Sequence, residues 1–144
     1  MDAKEYLTQI RHISKQINEK SEEIAKLKAQ IEGGSISYES DGTISGHTDT
    51  ERNAHMIIKL TELKDELNHQ VDMLILAEQK AIALIDMVTD TNQMTVLYDR
   101  YIHFKSWERI SAEMNYSLPY IYRIHKLALA EFQDILEKMI VNNS

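Results

Sequence analysis

Residues 6–31 read YLTQIRHISKQINEKSEEIAKLKAQI, and the spacing of the apolar residues in this stretch decides the fold class. Tyr6, Ile10, Ile13, Ile17, Lys20, Ile24, Leu27 and Ile31 follow one another at alternating intervals of four and three. A repeat of this kind, averaging about 3.5 residues, is the mark of a coiled-coil seam. It predicts one helix over residues 1–32, about 48 Å long at 1.5 Å per residue. Such a helix would expose a continuous apolar stripe, so it needs a partner helix. Ile10, Ile13, Ile17, Ile24, Leu27 and Ile31 are therefore the candidate oligomerisation residues, and the partner can belong to the same chain or to another copy. Lys20 interrupts the stripe. It either snorkels to solvent or sets the register of pairing.

Moving outward from this stretch, residues 50–89 supply a candidate partner. Leu60, Leu63, Leu67, Val71, Leu74, Ala81, Leu84, Ile85 and Val88 recur at threes and fours, giving a broader, drifting stripe. Asp49, Thr50 and Glu51 suit a helix start. All four glycines, Gly33, Gly34, Gly42 and Gly46, fall between these segments, and the single proline is Pro119. The expectation is a long antiparallel helical hairpin over 1–91, with a connection at 33–49. Within that connection Asp41-Gly42, flanked by Ile36-Ser37-Tyr38 and Thr43-Ile44-Ser45, carries the signal of a small β-hairpin; the alternative is an open loop.

Composition removes several function classes. The chain has 144 residues, a mass of 16.7 kDa and no cysteine. A disulfide framework, a thiolate metal site and a cysteine nucleophile are thereby excluded. No apolar stretch is long enough to span a membrane, and the N-terminal residues lack the apolar core of a signal peptide. A cytoplasmic protein without a membrane partner is expected. The six histidines show no i, i+4 pair and no metal-ligand pattern, and no nucleophile motif is present. The acidic pair Asp65-Glu66 reads as solvated helix surface. The sequence thus predicts no enzyme, no metal and no cofactor.

From Asn92 the pattern changes to three shorter pieces. Residues 92–104 place Met94, Leu97, Tyr98, Tyr101 and Ile102 on one helical face. Ser106 then caps a helix carrying Trp107, Ile110, Ala112 and Met114. Asn115-Tyr116 makes a short turn, and Ser117 caps a third helix with Pro119 in its first turn, where a missing N–H is tolerated. Ile121, Ile124, Ala128, Phe132 and Ile135 form its buried stripe, and it runs to about Ile140. Two helices joined by a three-residue turn describe a helix-turn-helix. The expected organisation is therefore all-α, with a helical hairpin over 1–91 and a three-helix domain over 92–144.

The run Trp107-Glu108-Arg109-Ile110-Ser111-x-Glu113-Met114-x-x-Ser117, followed by Ile121, Arg123, His125 and Ala128-Leu129, resembles region 4 of sigma-70-type RNA polymerase sigma factors. It is closer still to small phage-encoded proteins of Gram-positive hosts that carry this motif behind a helical N-terminal half. In those proteins a start similar to Met1-Asp2-Ala3-Lys4-Glu5-Tyr6-Leu7 also recurs. The resemblance covers 97–136 specifically and 1–30 more loosely. It implies a sigma-like transcription regulator of phage or prophage type that reads double-stranded DNA, with RNA polymerase as a candidate partner; some such regulators switch on late phage genes. Sigma factors usually carry a basic residue just before the Ala-Leu pair, where this chain has Leu127. The heptad-bearing half is also not the domain with which a full sigma factor grips polymerase.

Helical geometry specifies which side chains could meet DNA. With Ile121 and Ile124 turned inward, Pro119, Tyr122, Arg123 and Lys126 face outward, with Tyr120 and Leu127 on the flanks. The recognition helix would span about 117–140, and the N-terminal part of such a helix enters the major groove. Arg123 could read guanine through its paired donors. Tyr120, Tyr122 and Lys126 could touch phosphate or thymine methyl groups, and Ser117 at the helix start suits a phosphate. Lys105, Ser106 and Arg109 would lie near the DNA backbone. His125 is expected to border the core.

Charge tempers this picture. Residues 1–91 hold 10 basic and 17 acidic side chains, giving −7, whereas residues 92–144 hold 6 of each. Phosphate neutralisation drives non-specific affinity, so one neutral motif should bind weakly. A homo-oligomer, with a dimer favoured, or polymerase itself would have to supply the remainder. Two other functions fit the same sequence: a protein-interaction module that binds RNA polymerase or another regulator, and a DNA-packaging subunit of the small terminase type.

Overall fold

The computed structural model describes residues 1–34 and 46–142, without the side chains of Gly34 and of residues 46–49. Among the described residues every regular element is a helix. Helix α1 spans Ala3–Gly34 and α2 spans Gly46–Ile85. The short α3, Thr91–Leu97, runs directly into a π-helical turn at Tyr98–Ile102. Helix α4 covers Trp107–Met114 and α5 covers Leu118–Asn142. The long helices take in both ends of the expected connection. The rest of it, with the β-hairpin expected around Asp41-Gly42, lies outside the described residues.

The chain divides into two compact units, residues 15–73 and residues 1–14 with 74–144. Both divisions fall inside the long helices, whereas the sequence pattern changes at residue 91. The buried side chains explain the difference. Leu84, Ile85 and Val88 belong to the same core as Leu97 and Phe132, so no boundary in packing follows α2.

In the unit 15–73, the heptad is visible in burial. On α1, Ile17, Lys20, Ile24, Leu27 and Ile31 are covered, and every side chain between them is exposed. On α2, Met56, Leu60, Leu63, Leu67 and Gln70 are covered, again at intervals of four and three, with Val71 beside them. This seam is narrower and more regular than the drifting stripe expected from the leucines and valines. The aliphatic count missed it because Gln70 occupies one seam position. The helices run antiparallel: Lys20 meets Glu66, with Nζ and Oε2 2.7 Å apart, while Leu27, two turns onward, lies near Arg52, His55 and Met56. The α1 stripe is thus covered within a single chain. The Oε1 of Gln70 is buried without a hydrogen-bond partner among the described residues.

In the other unit, Leu7 and Ile10 of α1 and Ala81, Leu84 and Ile85 of α2 pack with Leu97, Tyr101, Ala128, Phe132, Ile135 and Leu136. Phe132 is fully buried, and its ring stands 5.8 Å from Tyr6. The amide of Ala3 donates to Gln133 Oε1 at 2.7 Å, tying the start of α1 to α5. Helix α2 ends in a tight turn, in which Met87 and Val88 donate to Leu84 and Ile85, and this tucks Val88 into the core. Asp90 then caps α3 by accepting from the Gln93 amide at 2.9 Å.

Candidate nucleic-acid interface

Three helices build the site around a small core of their own. Val96 of α3, Ile110 of α4, and Ile121 and Ile124 of α5 are buried together, with Trp107 and Met114 packed on them. Val96, absent from the expected apolar face of residues 92–104, is fully buried here.

Local chemistry fixes how α4 meets α5. Ser106 caps α4 as expected: its Oγ accepts from the Arg109 amide at 3.1 Å. The helix ends at Asn115, which sits in the left-handed region at φ 60°. Asparagine tolerates this conformation better than most residues. The Tyr116 amide then reaches back to the Ser111 carbonyl at 3.2 Å, a Schellman-type closure. Ser117 starts α5 by accepting from the Tyr120 amide at 3.3 Å. Only residues 115–117 separate the two helices.

The side chains singled out around the start of α5 are open to solvent. Ser117, Tyr120, Tyr122, Arg123 and Lys126 are all exposed, and Leu127 is 54% exposed beside them. Among the described residues neither Arg123 nor Lys126 is in an ion pair. The tyrosines are braced: Tyr120 packs on Tyr116 with centroids 4.8 Å apart, and Tyr122 meets Trp107 edge-on at 5.4 Å.

Lys105 and Arg109 stand differently. Lys105 Nζ lies 2.7 Å from Glu113 and 3.3 Å from Asp99, and Arg109 Nε donates to Glu113 at 2.9 Å. These hydrogen bonds hold the Glu113 carboxyl below the usual range, chiefly through Lys105 and then Arg109, and they raise Lys105. Lys105 is mostly covered, so its charge is committed to the protein; the Arg109 side chain is 63% exposed and its pair is a surface one. A surface pair of that kind contributes little to stability, which leaves Arg109 available to another anion.

Behind α4 the structure brings Tyr101, Trp107 and His125 together with Arg100, a residue that the sequence does not single out. The π-helical turn puts Tyr101 in the core and Arg100 over the Trp107 ring, 4.5 Å from its centroid. Tyr101 and His125 share a hydrogen bond of 2.6 Å, and His125 packs against Trp107 at 4.6 Å. His125 therefore borders the core. Its burial, reinforced by Lys4 and Arg100, lowers its pKa to about 4, and burial pushes Tyr101 up to about 12. No periodicity reveals such a cluster, because its members come from three separate segments.

Among the described residues no group of three or more His, Asp or Glu could hold a metal ion, and no helix is long and apolar enough to cross a membrane. The chain matches no protein-family model, and no curated protein or solved structure matches it.

Proposed function

We propose that the chain is a sequence-specific double-stranded DNA-binding transcription regulator of the sigma-70 region 4-like kind, with α5 entering the major groove. The observation that carries this reading is the exposed group Tyr120, Tyr122, Arg123 and Lys126 on the first turns of α5. A buried three-helix core and two capped helix ends support it at a fixed orientation. Arg123 reads a base edge, Lys126 and Ser117 hold phosphates, and Arg109 reaches the backbone by giving up Glu113. Since residues 92–144 are neutral, one copy binds weakly, and useful affinity comes from a second copy or from RNA polymerase. The α1 stripe is already covered within one chain, so a dimer forms by exchanging helices of the hairpin or through another surface.

The experiment is a selection of bound sequences from random duplex DNA at moderate salt, with the particle mass measured in the same buffer. An enriched motif, above all two spaced half-sites with a dimeric mass, supports the proposal. A folded chain that enriches nothing rejects it.

A second reading is a protein-interaction module docking on polymerase or another regulator. The exposure of Leu127 and the commitment of Lys105 to Asp99 and Glu113 favour it. Retained partner binding after Arg123→Ala, with no DNA motif selected, would decide for it.

A further inference from the structure

Lys4, Thr8 and Arg11 follow one another at intervals of four and three, so they share one face of α1. Opposite them stand Arg100 of the π-helical turn, Trp107 at the start of α4 and His125 of α5. Together with Tyr101 these residues line a pocket of about 110 Å³. Three of its seven lining side chains are cationic and none is acidic, in a chain whose net charge is −7. Among the described residues, Lys4, Arg11 and Arg100 are in no ion pair. Arg100 is partly covered and held in place by a 3.0 Å hydrogen bond to the Lys105 carbonyl and by the Trp107 ring.

Size and charge together define what fits. Liquid water takes about 30 Å³ per molecule, so the pocket has room for roughly four waters. Drug-sized ligands are enclosed in pockets of about 300–1,000 Å³, so this one encloses a small group and not a whole nucleotide. Two guanidinium groups and an ammonium line it, and these are the side chains that hold compact oxyanions through charge-assisted hydrogen bonds. Three positive charges without a carboxylate match a multiply charged anion better than a single carboxylate.

We propose that this pocket binds one phosphate group, held by Lys4, Arg11 and Arg100. The group belongs either to a nucleic-acid backbone or to a free phosphate compound; the chemistry of capture is the same. The pocket lies beside Trp107, which in turn packs on Tyr122 of the exposed α5 face, so a backbone phosphate is within the reach of the same surface. The pocket does not depend on the DNA-reading proposal.

Trp107 is the only tryptophan, and its emission reports the pocket directly. The test titrates the full chain with inorganic phosphate at constant ionic strength set by sodium chloride. The expected result is a saturating change in emission. Lys4→Gln and Arg11→Gln should each weaken it about tenfold, as removal of one charge-assisted hydrogen bond predicts, and Lys28→Gln should leave it unaltered. Lys4 and Arg11 are exposed, so both variants should fold, and their melting curves check this. A response that does not saturate, or that is unchanged in both variants, overturns the proposal. Repeating the titration with saturating duplex DNA assigns the source. Loss of the phosphate response means that a backbone phosphate occupies the pocket. An undiminished response means a free phosphate ligand, and this also follows if the chain binds no DNA at all.

Discussion

The Tyr101 hydroxyl and the His125 Nε2 stand 2.6 Å apart, joining the π-helical turn to the middle of α5. His125 is neutral in the folded chain because burial, Lys4 and Arg100 lower its pKa to about 4; Arg11 also lines the pocket it faces. In the unfolded chain a histidine titrates near 6.5. The unfolded state therefore binds this proton first, and the stability present above about pH 6.5 is lost progressively toward pH 4. Thermal melts across that window should show His125→Gln losing less stability on acidification than the parent chain. Equal slopes would remove His125 from the account.

Phe132 is the largest fully buried side chain in the unit containing residues 74–144. Phe132→Ala should cost about 3–5 kcal/mol, a large share of the roughly 5–15 kcal/mol that holds a domain folded. Chemical denaturation checks it. A loss under about 1 kcal/mol would show that the core around Tyr6 and Leu97 collapses onto the gap.

The junction of α4 and α5 rests on local hydrogen bonds that can be removed singly. Ser106→Ala and Ser117→Ala should each cost about 1 kcal/mol. Asn115→Gly should be nearly neutral, whereas Asn115→Val should cost about 1–2 kcal/mol because a β-branched residue resists the left-handed region. Denaturation midpoints distinguish the set. An unstrained Asn115→Val would mean that the turn has another conformation.

Arg123 and Lys126 should separate specificity from affinity. Arg123→Ala should lose about 1–3 kcal/mol of discrimination at one base pair, and Lys126→Gln should weaken all sequences alike and lower the salt slope by about one. Binding to the selected site and to single-base variants, at several salt concentrations, provides both readouts. Equivalent behaviour of the two variants would count against major-groove reading by Arg123.

Lys20 is the one charged residue in the α1 seam, and it pairs with Glu66. Lys20→Leu would complete the apolar seam of α1 and leave Glu66 without its partner, and the melting temperature should rise while the particle mass becomes mixed, since a lone polar seam residue selects one pairing among several. A single unchanged mass would show that the register is fixed elsewhere, with Gln70 the next residue to replace.

Much of this fold was legible in the sequence, for physical reasons that differ by region. The α1 seam could be read because every apolar residue between Tyr6 and Ile31 except Leu7 and Ala positions follows one repeat. The α2 seam was blurred because Gln70 sits in it, and because Ile57, Ile58, Ile75 and Leu76, apolar by type, are exposed. The caps at Ser106 and Ser117 were readable because capping is a local hydrogen bond. The pocket lined by Lys4 and His125 was not, since these residues are brought together only by tertiary packing. The Lys105 ion pair escaped for a related reason: Glu113 reaches Lys105 only after the chain has turned at Ser106, whereas the Arg109–Glu113 pair has the local i, i+4 spacing of a helix.

The π-helical turn at Tyr98–Ile102 has a consequence for how length can vary. His103 donates to Tyr98 five residues back, and Lys105 donates to Asp99 across the left-handed Phe104. Such a turn holds one residue more than an α-helix would over the same rise. Deleting one residue there would leave a well-formed helix, yet it would swing the side chains beyond the cut by about 100°. Arg100 and Tyr101 would no longer both face Trp107 and His125. The surplus residue thus sets the angular phase between the first three helices of the core and the pair α4 and α5.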